Sequence, residues 1–386
     1  MRCIFYLIII LMFFTSSTAL SDQWFGNGTF VYISIGVFLA TLVFFRNIEV
    51  KYNPKLLLSI FAFVFFGIIA SLINSDIALL LSALGYFVLF LSATIIIPSY
   101  FKSDSGKVMI WTILISQIPI LLWPILINGI DTYPYRGIFN NSNSLGGVAA
   151  TVFVVLLALL LQRFESFIYS KNKQSKMILL FLFIASSLLF LLVIMTGSRT
   201  SFVACVFALS IGLLFFLAFT FKHRLLGNLF VKGLVNLPLL GLIFWVTNKI
   251  IPITSYAEEI IFSKFTQKSS STLDGRDWVW EMTIKESGLF GNGSNYFSVD
   301  VGLGAHNTFI SILGQYGWLA LIAVSVFFII GLFHSFGYAL SDNKYKYLPL
   351  LMLVTFLSLS MGEVMLYKLS MISSFILIGI VANNKK

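Results

Sequence analysis

Three arginines and one histidine stand out by the residues around them. Arg136 lies in Tyr133-Pro134-Tyr135-Arg136-Gly137-Ile138-Phe139-Asn140-Asn141-Ser142-Asn143. Arg199 lies in Thr196-Gly197-Ser198-Arg199-Thr200-Ser201, and Arg276 in Asp274-Gly275-Arg276-Asp277-Trp278-Val279-Trp280. Each guanidinium has a glycine or a small polar residue beside it. Arginine stays charged and presents a rigid fork of donors that matches phosphate oxygens. Helix N-termini add N–H donors and positive partial charge for an anion, and both Arg199 and the Asn143–Gly146 stretch are expected at such ends. Gathered on one face, the three arginines would hold a diphosphate. Taken singly, each is as well explained by snorkelling or by an ion pair within its loop. His306-Asn307 follows a glycine-rich approach, Gly288–Gly304. A neutral imidazole can take a proton from a hydroxyl, although a histidine at the end of a membrane span is often simply interfacial. His223 and His334 belong to basic loops or span ends and are assigned no chemistry.

The elements that must position these groups are membrane spans. Of 386 residues, 59% are hydrophobic and only 10% are charged, and the mean hydropathy is +0.96. Soluble domains are roughly 45–50% apolar and about 25% charged, so a soluble enzyme, a disordered chain and a secreted disulfide scaffold are all excluded. Cys3 and Cys205 sit in apolar stretches and imply neither a disulfide framework nor a zinc site. A spanning helix needs about 20 apolar residues. Twelve such segments are read, at 3–20, 29–45, 56–73, 77–97, 108–128, 145–161, 177–196, 201–221, 234–251, 308–333, 347–361 and 364–382. The runs are continuously apolar rather than alternating, which means helices and not a barrel. The fold class is therefore an all-α polytopic membrane protein. Residues 1–251 form spans one to nine, 252–305 one long extracytoplasmic loop containing short helices, and 306–386 spans ten to twelve.

A net charge of +10 invites a nucleic-acid reading, but the placement of the charge answers it. With the N-terminus in the cytoplasm, 17 of the 25 basic residues fall on the cytoplasmic side and only Glu49, Asp104, Glu165 and Asp342 of the 15 acidic ones do. This is the positive-inside bias of a membrane protein. The partner is a bilayer, with both termini cytoplasmic, and nucleic acid is not expected. Arg2 and the apolar run Ile4–Phe14 also fit a signal peptide; an uncleaved span is the expectation, and the later topology is the same in either case.

The long loop is expected to hold an amphipathic surface helix at Tyr256–Gln267 and a second helix near Arg276–Glu286, with Asp274 as its N-cap and Asp277 in its first turn. Asn292, Ser294, Asn295, Tyr296, Trp278 and Trp280 give the loop a set of polar and indole side chains. Other motifs fail. Gly291-Asn292-Gly293 has no preceding strand, Gly106-Lys107 lacks the upstream glycine of a phosphate loop, and no Asp-x-Asp is present to grip a metal and a nucleotide sugar. The spans carry almost no mid-depth charge, which speaks against a transporter.

Taken together, Arg136-Gly137-Ile138-Phe139-Asn140 with Asn143, Gly197-Ser198-Arg199-Thr200, Gly275-Arg276 with Trp280, Leu289-Phe290-Gly291-Asn292-Gly293, and His306-Asn307 followed by Gly317 resemble the O-antigen ligase/polymerase superfamily of bacterial envelope glycosyltransferases. Order, spacing, span count and the long loop agree over most of the chain. The resemblance implies a metal-independent glycosyltransferase of the bacterial inner membrane that needs no nucleotide sugar or other cofactor and uses an undecaprenyl-diphosphate-linked oligosaccharide as donor. It implies that Arg136, Arg199 and Arg276 hold the diphosphate, that His306 is the base for the acceptor hydroxyl, and that Glu363 is the acidic residue between the last two spans. Tyr133, Asn140, Asn143, Asp274, Trp280, Asn292 and Asn307 are expected on the substrate side of the same site. Ala320 departs from the ligase pattern after His-Asn, and the Arg-Gly-Ile-Phe-Asn form leans toward polymerases, for which a chain-length regulator is an expected partner. A lipid A-core ligase, a protein oligosaccharyltransferase and, from another class, a glycolipid flippase are the alternatives.

Overall fold

The computed structural model describes residues 2–15, 50–100, 105–130, 133–169, 174–223 and 276–383. Among these residues the chain is helical without strands. The helices are α1 (Arg2–Thr15), α2 (Pro54–Ile73), α3 (Ile77–Tyr100, with a π turn at Ser92–Ile96), α4 (Ser105–Asn128), α5 (Ser142–Tyr169) and α6 (Gln174–Met195). They continue with α7 (Arg199–Lys222), α8 (Arg276–Glu286), α9 (Thr308–Ala339), α10 (Tyr347–Ser360) and α11 (Leu369–Asn383). Seven of these, α2 to α7 and α9, are long and apolar enough to cross a membrane, while α10 and α11 are shorter apolar helices. The expected spans at 29–45 and 234–251, the surface helix Tyr256–Gln267 and Asp274 lie outside the described residues.

Helix starts follow local chemistry. Asn53 caps α2, its Oδ1 accepting the N–H groups of Lys55 and Leu56, with Pro54 at the first helical position. Asp76 caps α3 through Leu79 N–H at 2.9 Å, and Ser198 caps α7. Several boundaries differ from expectation: α5 and α9 run eight and six residues past their expected ends, and two helix starts move for a visible reason. Helix α5 begins at Ser142, three residues early, because Asn141 takes the Asn143 N–H on its side chain and the Ser144 N–H on its carbonyl. Helix α11 begins only at Leu369, because residues 361–368 form a turn in which Tyr367 is left-handed (φ 65°).

Packing divides the chain into two compact units. The first comprises Met1–Gln117, Lys268–Gly337 and Phe356–Lys386. Its interior is aromatic: Phe63, Tyr86, Phe90, Tyr316, Phe327 and Phe375 are all buried and meet ring to ring at 4.8 to 6.3 Å. Lipid tails are as apolar as side chains, so helices in a membrane gain most by close approach at small residues. Helix α11 does this at Gly379, where an added Cβ would strike the Thr94 carbonyl in the π turn of α3; Asn383 donates to that same carbonyl at 3.0 Å. The second unit comprises Ile118–Gln267 and Tyr338–Thr355. In it α5 packs on α6 and α7, and Glu165, near the end of α5, accepts from Lys346 Nζ at 2.9 Å and from the Tyr347 hydroxyl at 2.8 Å.

Helix α9 is broken once, at Gly317 (φ 84°, ψ −177°). The break frees backbone groups that must be satisfied inside a membrane protein, and the glycine loop before His306 satisfies them. Trp318 and Leu319 donate to the carbonyls of Gly288 and Leu289, while Asn292 and Gly293 donate to those of Gly314 and Gln315, at 2.8 to 3.3 Å. Backbone meets backbone here without room for a side chain: a Cβ on Gly291 would lie 2.5 Å from the Gln315 oxygen.

Candidate functional site

In the first unit, three separate stretches of chain meet at the turn after α10. The first is α8, which contributes Arg276 at its first position and fixes itself by burying Val279 completely against Tyr296, Phe297, Val301 and Ala305. Arg276 Nη1 donates to the Gly362 carbonyl at 3.2 Å. A guanidinium carries five N–H donors, so this contact anchors the group without exhausting it. The second stretch is His306-Asn307-Thr308. His306 itself is left-handed (φ 45°). Asn307, only 2% exposed, caps α9 by accepting from Phe309 and Ile310 and donates its amide to the Met361 carbonyl at 3.2 Å. The third is the turn itself, which sets the Glu363 carboxylate 3.7 Å from His306 Nδ1. The imidazole is 38% exposed and the carboxylate 15%. That separation is an ion-pair distance, longer than a hydrogen bond.

The loop in front of the histidine is pinned at several points. Trp280 Nε1 donates to the Ala305 carbonyl at 2.9 Å. Ser294 gives both its N–H and its hydroxyl to Asp76 Oδ2 at 2.7 Å. Burial tends to raise the Asp76 pKa, but the two bonds from Ser294 and the first N–H groups of α3 outweigh it, so this carboxyl lies below the ordinary range. The Tyr296 hydroxyl donates to Glu286 at 2.9 Å; burial and that neighbouring carboxylate push its pKa up. Asn292 uses its backbone N–H in the clamp to Gly314, while its side-chain nitrogen is buried with no hydrogen-bond partner among the described residues. No group of three metal-ligating side chains is gathered among the described residues.

The second unit holds the other two arginines. Arg136, exposed, sits in a tight turn in which Phe139 N–H bonds its carbonyl at 2.9 Å and Gly137 is left-handed (φ 56°). Arg199, half-buried, is the first residue of α7. The two motifs lie against each other: Tyr135 N–H donates to the Met195 carbonyl at 2.9 Å, and a Cβ on Gly146 would press within 2.9 Å of Thr196, Ser198 and Ser201. The N-terminal turn of α5 therefore rests on the hydroxyl cluster that starts α7. Two helix N-termini and two guanidiniums make this unit's end strongly attractive to an anion. Asn143 is half-buried in the first turn of α5, and Asn140 and Tyr133 are exposed beside it.

Within the first unit, then, Arg276, Trp280, His306, Asn307 and Glu363 are brought together, with Asn292 in the adjoining loop; within the second, Tyr133, Arg136, Asn140, Asn143 and Arg199 adjoin one another. Asp76 and Thr308 were not singled out from sequence. The signal for Asp76 was present, as an acidic cap ahead of an apolar run, and Thr308 adjoins the His-Asn pair. No protein-family model matches the chain, and no curated protein matches it.

Proposed function

We propose that this protein is a membrane glycosyltransferase that moves a glycan from an undecaprenyl-diphosphate-linked donor to a sugar hydroxyl and so polymerises repeat units of a surface polysaccharide. The observation that carries the reading is the turn 361–363, which anchors Arg276 through Gly362, anchors Asn307 through Met361 and sets Glu363 against His306. A guanidinium, an imidazole and a carboxylate converge from stretches far apart in sequence, in a chain otherwise poor in charge.

The chemistry assigns each group a task. Glu363 on the Nδ1 side favours the tautomer with its proton there, leaving the Nε2 lone pair as base. The acceptor O–H gives its proton to Nε2 while its oxygen attacks the anomeric carbon. The bond from that carbon to the diphosphate oxygen breaks, and its electron pair stays on the departing diphosphate. Arg276 stabilises the growing negative charge; Arg136 and Arg199 keep the diphosphate-holding role that the resemblance implies for them. The surrounding reading is of about twelve spans in a bacterial inner membrane, both termini cytoplasmic and the loop 252–305 on the far side.

Removing one such donor typically costs ~10²–10³ in rate. Arg276→Ala and Arg199→Ala are expected to abolish polymer while leaving the protein in the membrane. Arg→Lys is expected to rescue poorly, because a point charge lacks the fork. A gel of surface glycolipid from a deletion strain reads the outcome. A ladder collapsed to one repeat supports polymerisation, a bare core with glycan accumulating on the carrier indicates a ligase, and an unaltered glycan contradicts the transferase reading.

A further inference from the structure

The two nitrogens of His306 have different surroundings. Nδ1 faces the Glu363 carboxylate. On the other edge of the ring, a Cβ placed on Gly304 would lie 3.8 Å from both Nε2 and Cδ2 and, its two chain neighbours apart, within 4 Å of no other described residue. Gly304 is exposed. Its backbone is not left-handed, unlike that of Gly302 (φ 73°), so no turn requires a glycine there. No close approach requires one either, unlike at Gly291 or Gly314. What a side chain at 304 would occupy is the space beside Nε2. The segment is not free to carry such a side chain away: Ala305 is buried and held by the Trp280 indole, and Asn307 is locked to Met361.

We infer that Gly304 keeps the approach to His306 Nε2 open for the acceptor, and that residue size at 304 sets which hydroxyl-bearing group reaches the imidazole. This rests on the reading of His306 as the base. It adds a specificity-determining position that the polar residues of the site do not mark, since its contribution is the absence of a side chain. An alanine there fits without strain and adds ordinary contact to the ring edge. Valine and phenylalanine progressively cover Nε2.

The test uses the full-length protein with Gly304→Ala, Gly304→Val and Gly304→Phe, and Gly337→Phe as a control at a glycine near the far end of α9 where an added Cβ would meet nothing within 4 Å. Detergent-solubilised protein is treated with diethyl pyrocarbonate, which carbethoxylates accessible imidazole nitrogen, and modification of His306 is timed by peptide mass spectrometry. Surface glycolipid ladders are run from cells carrying the same variants and His306→Ala. Labelling of His306 is expected to slow at each step from glycine to phenylalanine, and polymer to fall in the same order. Displacing an acceptor by about 1 Å can cost ~10²-fold in rate, so Gly304→Phe is expected to lose the ladder, while Gly337→Phe changes neither readout. If phenylalanine keeps the chain out of the membrane, the alanine and valine steps carry the comparison. Unslowed labelling in the largest variant that reaches the membrane overturns the inference. A wild-type ladder in that variant, with none in His306→Ala cells, overturns it alone and leaves His306 as the base. A wild-type ladder in His306→Ala cells overturns both.

Discussion

The Thr308 hydroxyl donates to the backbone carbonyl of Glu363 at 3.1 Å, and the same oxygen receives the Met365 N–H at 2.9 Å. The helix that starts after His306 and the turn that carries Glu363 are thereby joined through one side chain that is 1% exposed. Thr308→Val keeps the shape and removes both bonds, leaving a carbonyl and an N–H without their partner. An unsatisfied buried group costs about 1–3 kcal/mol, so the variant is expected to unfold earlier in detergent and to lose activity more than stability, because the Glu363–His306 spacing is released. Thr308→Ser is expected to restore both. Equal thermal stability of the valine variant and the wild type would remove this role.

Asp76 gives the glycine loop a pH-dependent anchor. Its carboxyl is depressed below the ordinary range by Ser294 and the α3 N–H groups, against the effect of burial. A depressed carboxyl contributes stability that is fully present above its unfolded value and lost as pH falls through the folded one. The anchor is therefore intact at neutral pH and down to about pH 4, the ordinary aspartate value, and weakens only below that. Amide exchange at Gly293–Tyr296, corrected for intrinsic rates, is expected to rise on acidification in the wild type. In Asp76→Ala it is expected to be fast already at pH 7. Wild-type protection in that variant would show that the loop is held by its backbone clamp alone.

Gly317 combines a left-handed backbone with a close approach of another stretch of backbone. Its φ of 84° and ψ of −177° belong to a region open essentially to glycine, and a Cβ would run into the Gly291 N–H and the Leu289 carbonyl. The conformational strain alone is about 1–3 kcal/mol, and the clash adds to it. Gly317→Ala is expected to reduce the folded fraction in the membrane sharply, read by detergent extraction and thermal scanning. A variant as stable as the wild type would mean that α9 can close its break without the loop.

The buried Lys346 ammonium pairs with the half-buried Glu165 carboxylate and also lies 3.4 Å above the Phe219 ring, with the Tyr347 hydroxyl on the second carboxylate oxygen. Glu165→Ala strands a buried ammonium, and breaking such a pair costs about 3–5 kcal/mol. Replacing the group together, by Glu165→Leu, Lys346→Met and Tyr347→Phe, is expected to recover most of that loss. Thermal unfolding of the two proteins checks it, and equal destabilisation would show that packing rather than charge is at stake.

Much of this was legible in the sequence because it is local. Continuous apolar runs predict α2 to α7 and α9 to α11, most ends to within about three residues, although α5 and α9 run eight and six residues further and α11 starts five later, and Asp274 with Asp277 predicts a helix near Arg276–Glu286. The pairing of the Arg136 and Arg199 motifs, the break at Gly317 and the meeting of Arg276 with Gly362 were not legible. These rest on backbone carbonyls and N–H groups, which carry no residue signature, joined across dozens of positions. Glu363 was flagged by resemblance, but its place on the Nδ1 side of His306 depends on the bonds from Thr308 and Asn307.

In the proposed reaction, the group gathered at the 361–363 turn transfers a glycan off a lipid diphosphate. The most direct measurement reconstitutes the purified protein in liposomes with an undecaprenyl-diphosphate-linked oligosaccharide and follows release of undecaprenyl diphosphate. The account predicts release by the wild type and its loss in His306→Ala and Arg276→Ala, with lipid-linked donor still bound by the His306 variant. Release at the wild-type rate by His306→Ala, or intact donor after incubation with the wild type and its acceptor, would contradict it.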